Sequence, residues 1–139
     1  MDTTQPSSSQ LVKAGMLRLC NEFNPIVEEL GFARVRSGAR SWYRQRNGLI
    51  EMIHLHRSGS SYGAPRNNSI SIRAEFIIKA PDSAATDAWL DSDKLKDSSG
   101  YHYHLRFNAL TWSTYDRCLQ DLERVTKEHG QPWFGQHRA

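Results

Sequence analysis

The dipeptide Asn47-Gly48 sits between two runs of alternating side-chain character, Ser41 to Arg46 and Leu49 to Arg57. A two-residue hairpin turn needs positive φ at both positions, which asparagine and glycine tolerate best, and its twist matches that of the strands it joins. The spacing therefore predicts a β-hairpin, and with it an antiparallel sheet. In the second run Ile50, Met52, His54 and His56 share one face and Leu49, Glu51, Ile53 and Leu55 share the other, because side chains alternate along a strand. A short run from Phe32 to Arg36 precedes the hairpin. Beyond a loop from Gly59 to Asn68, the run Ser69 to Lys79 sets Ile70, Ile72, Ala74, Phe76 and Ile78 on one apolar face. Such alternation is that of antiparallel strands with one face laid on helices.

The helices are written in a different period. Leu11, Val12, Met16, Leu19, Cys20, Phe23, Ile26, Val27 and Leu30 recur at spacings of three and four, an amphipathic stripe that Gly31 ends. Pro25 lies inside this stripe and removes a backbone donor, so the helix is expected to kink there or to restart with Asn24 as a cap. A last helix, starting at Ser113 or Thr114, carries Tyr115, Cys118, Leu119, Leu122 and Val125. Gly130 is expected to stop it and Trp133-Phe134 to fold back as a clasp. Between them come a short helix around Thr86 to Leu90, a polar turn at Asp97 to Gly100, and a fifth strand from Tyr101 to Phe107. The fold class is α+β, an antiparallel β-meander of about four to five strands packed on an N-terminal and a C-terminal helix. Residues 1–10, rich in Ser, Thr and Gln, read as a disordered lead, and residues 11–139 as a single domain. Phe32, Ile53, Ile72, Phe76, Cys118, Leu119 and Leu122 are expected in its core.

Net charge is only +3, but its distribution is uneven. Arg34, Arg36, Arg40, Arg44 and Arg46 lie in an acid-free stretch, whereas Asp82, Asp87, Asp91, Asp93 and Asp97 crowd a later one. The two segments either present opposite patches or lie together and neutralise. Cys20 and Cys118 fall at apolar helical positions and read as buried thiols. With no signal peptide and no apolar run near the ~20 residues that span a bilayer, a cytoplasmic protein with no membrane association is expected.

Leu30-Gly31-Phe32, then Trp42-Tyr43-Arg44, then His56-Arg57-Ser58 beside the apolar strand Ile70 to Ile78 resemble the family of domain of unknown function 4304. The resemblance runs from about residue 15 to 80, and His56 stands where the family would usually carry glutamine. It implies a small α+β domain with no established catalytic residues. Some small domains of this architecture look like immunity or toxin-associated proteins, so the resemblance implies binding, with a toxin as one class of partner.

Three sets of residues are candidates for function. Arginine and aromatic residues dominate interface hot spots, so Arg44, Arg57, Ser58 and Tyr62, beside the 59–68 loop, are expected to bind a protein partner. Immunity proteins against nucleases are usually acidic, and a basic chain better suits an acidic or non-nuclease partner. Arg34, Arg36, Trp42, Tyr43 and Arg46 form the nucleic-acid alternative, with guanidinium groups on phosphates and an aromatic platform for bases. A charge of +3 makes such binding weak, and Trp42 in the core is the plainer reading. The third set is two His-x-His pairs, His54 with His56 and His102 with His104. Each pair projects from one strand face and could ligate zinc or make a metal-dependent enzyme, although the motif is weak by itself. Ser58, Ser60 and the cysteines lack the setting that activates a nucleophile. No cofactor is expected, and a non-enzymatic binding protein is the reading these residues favour.

Overall fold

A computed structural model describes residues 7–58, 68–82 and 88–136. Helix α1 spans Ser8–Glu28 and opens on a capping box, in which the Ser7 hydroxyl accepts from the Gln10 N–H and the Gln10 side chain accepts from the Ser7 N–H. Ser8 to Gln10 are thus helical and not part of a disordered lead. The helix runs through Pro25 without restarting, and Asn24 caps nothing. Its Oδ1 instead accepts from Trp42 Nε1 at 2.9 Å. Gly31, at φ +94°, then turns the chain away, with the Gly31 and Phe32 N–H groups returning to Glu28 and Val27 as in a Schellman motif.

The strands follow as β1 Ala33–Arg34, β2 Ser41–Arg46, β3 Leu49–Ser58, β4 Ser69–Lys79, β5 Ala88–Asp91 and β6 Arg106–Asn108. The sheet is antiparallel, in the order β1-β2-β3-β4-β5, with β6 sharing the far edge of β4. Asn47 and Gly48 take φ of 53° and 77°, the doubly positive turn that their sequence predicts. Two expectations fail on the far edge of β4. Ala88–Asp91 is a strand and not the end of a helix, because it pairs with Glu75 to Ile78 and satisfies an edge that would otherwise lack partners. Since β5 occupies that stretch, the expected strand Tyr101 to Phe107 is reduced to Arg106–Asn108 on Ser69 to Ser71, with Leu105 reaching the Ile72 N–H through its carbonyl. Tyr101 and Tyr103 leave the ladder and donate their hydroxyls to Asp121 and Glu128.

Helix α2, Tyr115–Val125, does not stop at Gly130. It passes through a π-helical turn, Thr126–Gly130, into α3, Gln131–Gln136. A Cβ on Gly130 would lie 2.6 Å from Cε1 of Phe76, so glycine here lets the helix run close over that ring. One turn on, Phe134 is fully buried against Phe76 and Phe32, with centroids 5.9 and 5.7 Å away, and supplies the expected clasp from within a helix. Val12, Met16, Leu19, Phe23 and Val27 of α1, Cys118, Leu122 and Val125 of α2, and Trp42, Ile53, Leu55, Ile70, Ile72, Ala74 and Phe76 of the sheet form one core. Leu119 lies at its margin, half-buried, because it sits one position off the inward stripe. Among the described residues no helix is long and apolar enough to cross a membrane.

Candidate docking face of the sheet

The inner face of the sheet removes Arg44 from the list of partner contacts. Arg44 is 7% exposed. Its Nε lies 2.6 Å from Glu51 Oε1, and its two Nη atoms donate to the Leu30 carbonyl and to Gln131 Oε1, with the guanidinium stacked 4.1 Å from the Phe32 ring centroid. Burial lowers its pKa from the ordinary value, and the Glu51 carboxylate opposes that shift. Every face of the group is engaged inside the protein.

The nucleic-acid set is divided in the same way. Trp42 is fully buried, edge-on to Phe23, and cannot serve as a platform for bases. Arg34 is committed to the Ala39 carbonyl, to Asn21 Oδ1 and to the Trp42 ring, and Arg46 Nε lies 3.7 Å from Glu51. Arg36 and Tyr43 are exposed, Tyr43 on the opposite side of the sheet from Trp42. Two acids of the acidic segment pair with arginines from elsewhere, Asp91 with Arg73 at 3.3 Å and Asp97 with Arg124 at 2.8 Å.

The His-x-His pairs do not meet. His54 and His56 stand together on β3, ring centroids 4.2 Å apart, whereas His102 bridges Lys96 and the His104 N–H donates to Asp121. No group of three or more metal-ligating side chains forms among the described residues. Arg57 is half-buried and donates to the Ser69 carbonyl at 3.4 Å. Ser58 closes β3, and Tyr62 with residues 59–67 lies outside the described residues. Both cysteines are buried free thiols, Cys118 pushed up to about 12 and Cys20 raised by burial, which suppresses thiolate chemistry.

The other face of the sheet brings together residues that the sequence reading did not join. Helices α1, α2 and α3 pack on the side of Trp42, Ile53 and Phe76, and the pairing register sets Ala33, Tyr43, Met52, Ile77 and Trp89 side by side on the opposite side. At ~4.8 Å between strands, this row spans about 19 Å. Trp89 is 60% exposed and Tyr43 41%, with Met52 and Ile77 half-buried between them. Two residues along each strand, and so on the same face, runs a polar row of Ser41, His54, Glu75 and Asp91, with His56 and Arg73 beyond it. The Ser41 hydroxyl is hydrogen-bonded to His54 Nδ1, and His56 Nε2 lies 3.0 Å from Glu75 Oε1. On the other flank stand Gln45, Ile50 and Lys79.

Burial, then the nearby His56, holds the His54 imidazole below its ordinary pKa, so it is neutral at neutral pH. A serine hydroxyl on a neutral imidazole could begin nucleophilic chemistry. Ser41 nevertheless opens a strand on a flat sheet face, without the sharp strand-to-helix turn that exposes an activated serine. What the arrangement offers is an apolar bar edged by polar side chains, the anatomy of an interface centre and rim. Part of this face was open to sequence reasoning, since a two-residue turn at Asn47-Gly48 places Tyr43 opposite Met52. Ile77 and Trp89 join the row only through pairings that the turn does not fix. No family model, curated protein or solved structure shows a significant match to the chain.

Proposed function

We propose that this chain is a non-enzymatic binding protein of the cytoplasm that engages a protein partner through the face of its sheet opposite the described helices, centred on Tyr43, Met52, Ile77 and Trp89. One observation carries the reading: an apolar row crosses the face of the sheet on which none of the helices among the described residues packs. Antiparallel sheets commonly leave one face to water, and that face is then polar. A contiguous exposed apolar patch rimmed by polar groups marks an interaction site more often than scattered single hydrophobics do. Its two ends are tryptophan and tyrosine, side chains that contribute ~2 kcal/mol or more when a partner desolvates them. The resemblance to the family of domain of unknown function 4304 supports the same reading, with an immunity-type role and a toxin as the class of partner.

The test uses exposed positions on different sides of the molecule. Trp89→Ala and Tyr43→Ala should melt like the parent protein and lose a prey protein that the parent retains from source cytoplasm. Leu110→Ala, which removes another exposed apolar side chain, should retain it. Equal recovery by all four proteins contradicts the assignment of this face.

A further inference from the structure

We infer that the face takes a second copy of this chain, packed sheet on sheet about a two-fold axis that runs along the apolar row. This rests on the reading above that the face binds protein, and it names the partner. In an isologous contact, if one residue of a chain meets a second residue of its copy, the second meets the first. A two-fold axis along the row keeps each strand over its own counterpart and reverses its direction. Trp89, Ile77, Met52 and Tyr43 then lie along the centre, each near its own counterpart. The flanks exchange, so the residue two positions before the row on each strand faces the residue two positions after it.

On β4 those two residues are Glu75 and Lys79, on either side of Ile77. The axis therefore lays each lysine over the copy's glutamate, twice per dimer. On β3 it lays Ile50 against His54, whose depressed pKa keeps the imidazole neutral. On β2 it sets Gln45 against Ser41, two polar side chains. Glu75 holds His56 through Oε1, which leaves Oε2 for the lysine, and no ion pair of Lys79 occurs among the described residues. Arg73 and Asp91 match each other within the chain. At the centre of the face, on β4, the chain is thus complementary to itself in sign.

Size is of the right order. The 33 residues of the five strands, at ~3.4 Å by ~4.8 Å each, give a footprint on the order of 500 Å² in projection, against ~800 Å² per partner in a standard interface. Facing sheets stack about 10 Å apart, which aromatic and methionine side chains can fill.

The experiment is sedimentation equilibrium from micromolar to millimolar protein, with thermal melts to confirm that each variant folds. The parent protein should be a dimer, and Trp89→Ala should weaken self-association by about tenfold or more. Lys79→Glu alone and Glu75→Lys alone each set like charges across the axis at both contacts, and each should be monomeric. An equimolar mixture of these two variants brings opposite charges together at both contacts and should form a heterodimer. A parent protein that is monomeric throughout overturns the self-association, while binding of a different protein by the same face stands or falls on the Trp89 and Tyr43 captures. A dimer whose two charge variants do not rescue each other overturns the proposed axis.

Discussion

Arg44 and Glu51 lie directly opposite each other on β2 and β3 with their charges in the core, Nε to Oε1 at 2.6 Å and each side chain almost fully buried. The pair ties the hairpin to the end of α1 through the Leu30 carbonyl and to α3 through Gln131. Removing Glu51 strands the Arg44 charge, and removing Arg44 leaves buried Glu51 only the more distant Arg46 at 3.7 Å. Glu51→Ala or Arg44→Ala should cost ~3 to 5 kcal/mol in denaturant unfolding, the range for breaking a buried ion pair. The double change Arg44→Met with Glu51→Leu should recover most of that loss. A single variant within ~0.5 kcal/mol of the parent, the scale of a surface change, would show that the pair is hydrated.

The close pass of the C-terminal helix over Phe76 makes a second prediction. Gly130→Ala forces a methyl into space that the ring already holds, 2.6 Å from Cε1. It should destabilise by ~1 to 3 kcal/mol, the usual range for overpacking. Phe76→Ala alone should cost ~3 to 5 kcal/mol. Gly130→Ala should cost much less in that background, since the ring it strikes is gone, and additive effects in the double-mutant cycle would refute the contact.

Stability should fall as pH drops below neutrality, through histidines held neutral by the fold. His54 is shifted below its ordinary value near 6.5 by burial first, then by His56, with Arg40 and Arg73 acting the same way and Glu75 opposing. His104 is lowered by burial and by Arg117 and Arg106. Between the lowered folded value and about 6.5 the unfolded chain binds more protons, so stability declines with falling pH across that window and levels off below it. Melting temperatures from about pH 8 to pH 5 should trace this decline, and His54→Asn should flatten part of it. An unchanged slope in His54→Asn would assign the effect elsewhere.

Much of the fold is legible in the sequence because its signals are local. The alternation Ile70, Ile72, Ala74, Phe76, Ile78 names the buried face of β4, and Asn47-Gly48 names the hairpin turn. What misled was residue type taken apart from register. Arg44 reads as a surface cation, yet it shares strand parity with Trp42, and Glu51 shares parity with Ile53 and Leu55. A two-residue turn pairs Arg46 with Leu49 and hence Arg44 with Glu51, so the buried pair could have been found from the turn alone. Gly130 reads as a stop because glycine disfavours helix, and only tertiary contact with Phe76 shows why it is there. The docking row is harder to see. Trp89 enters it through pairing of β5 with β4, a long-range contact on a short strand whose local sequence suggested a helix.

The most direct test of the docking face is photo-crosslinking from the exposed Trp89 end of the row in source cells. The photoreactive amino acid p-benzoylphenylalanine replaces Trp89 in one protein and Leu110 in another, and adducts are identified by mass spectrometry. The account predicts a discrete protein adduct from position 89, either with a second copy of this chain or with a different polypeptide, and none from position 110. No adduct from position 89, or the same adducts from both positions, would contradict it.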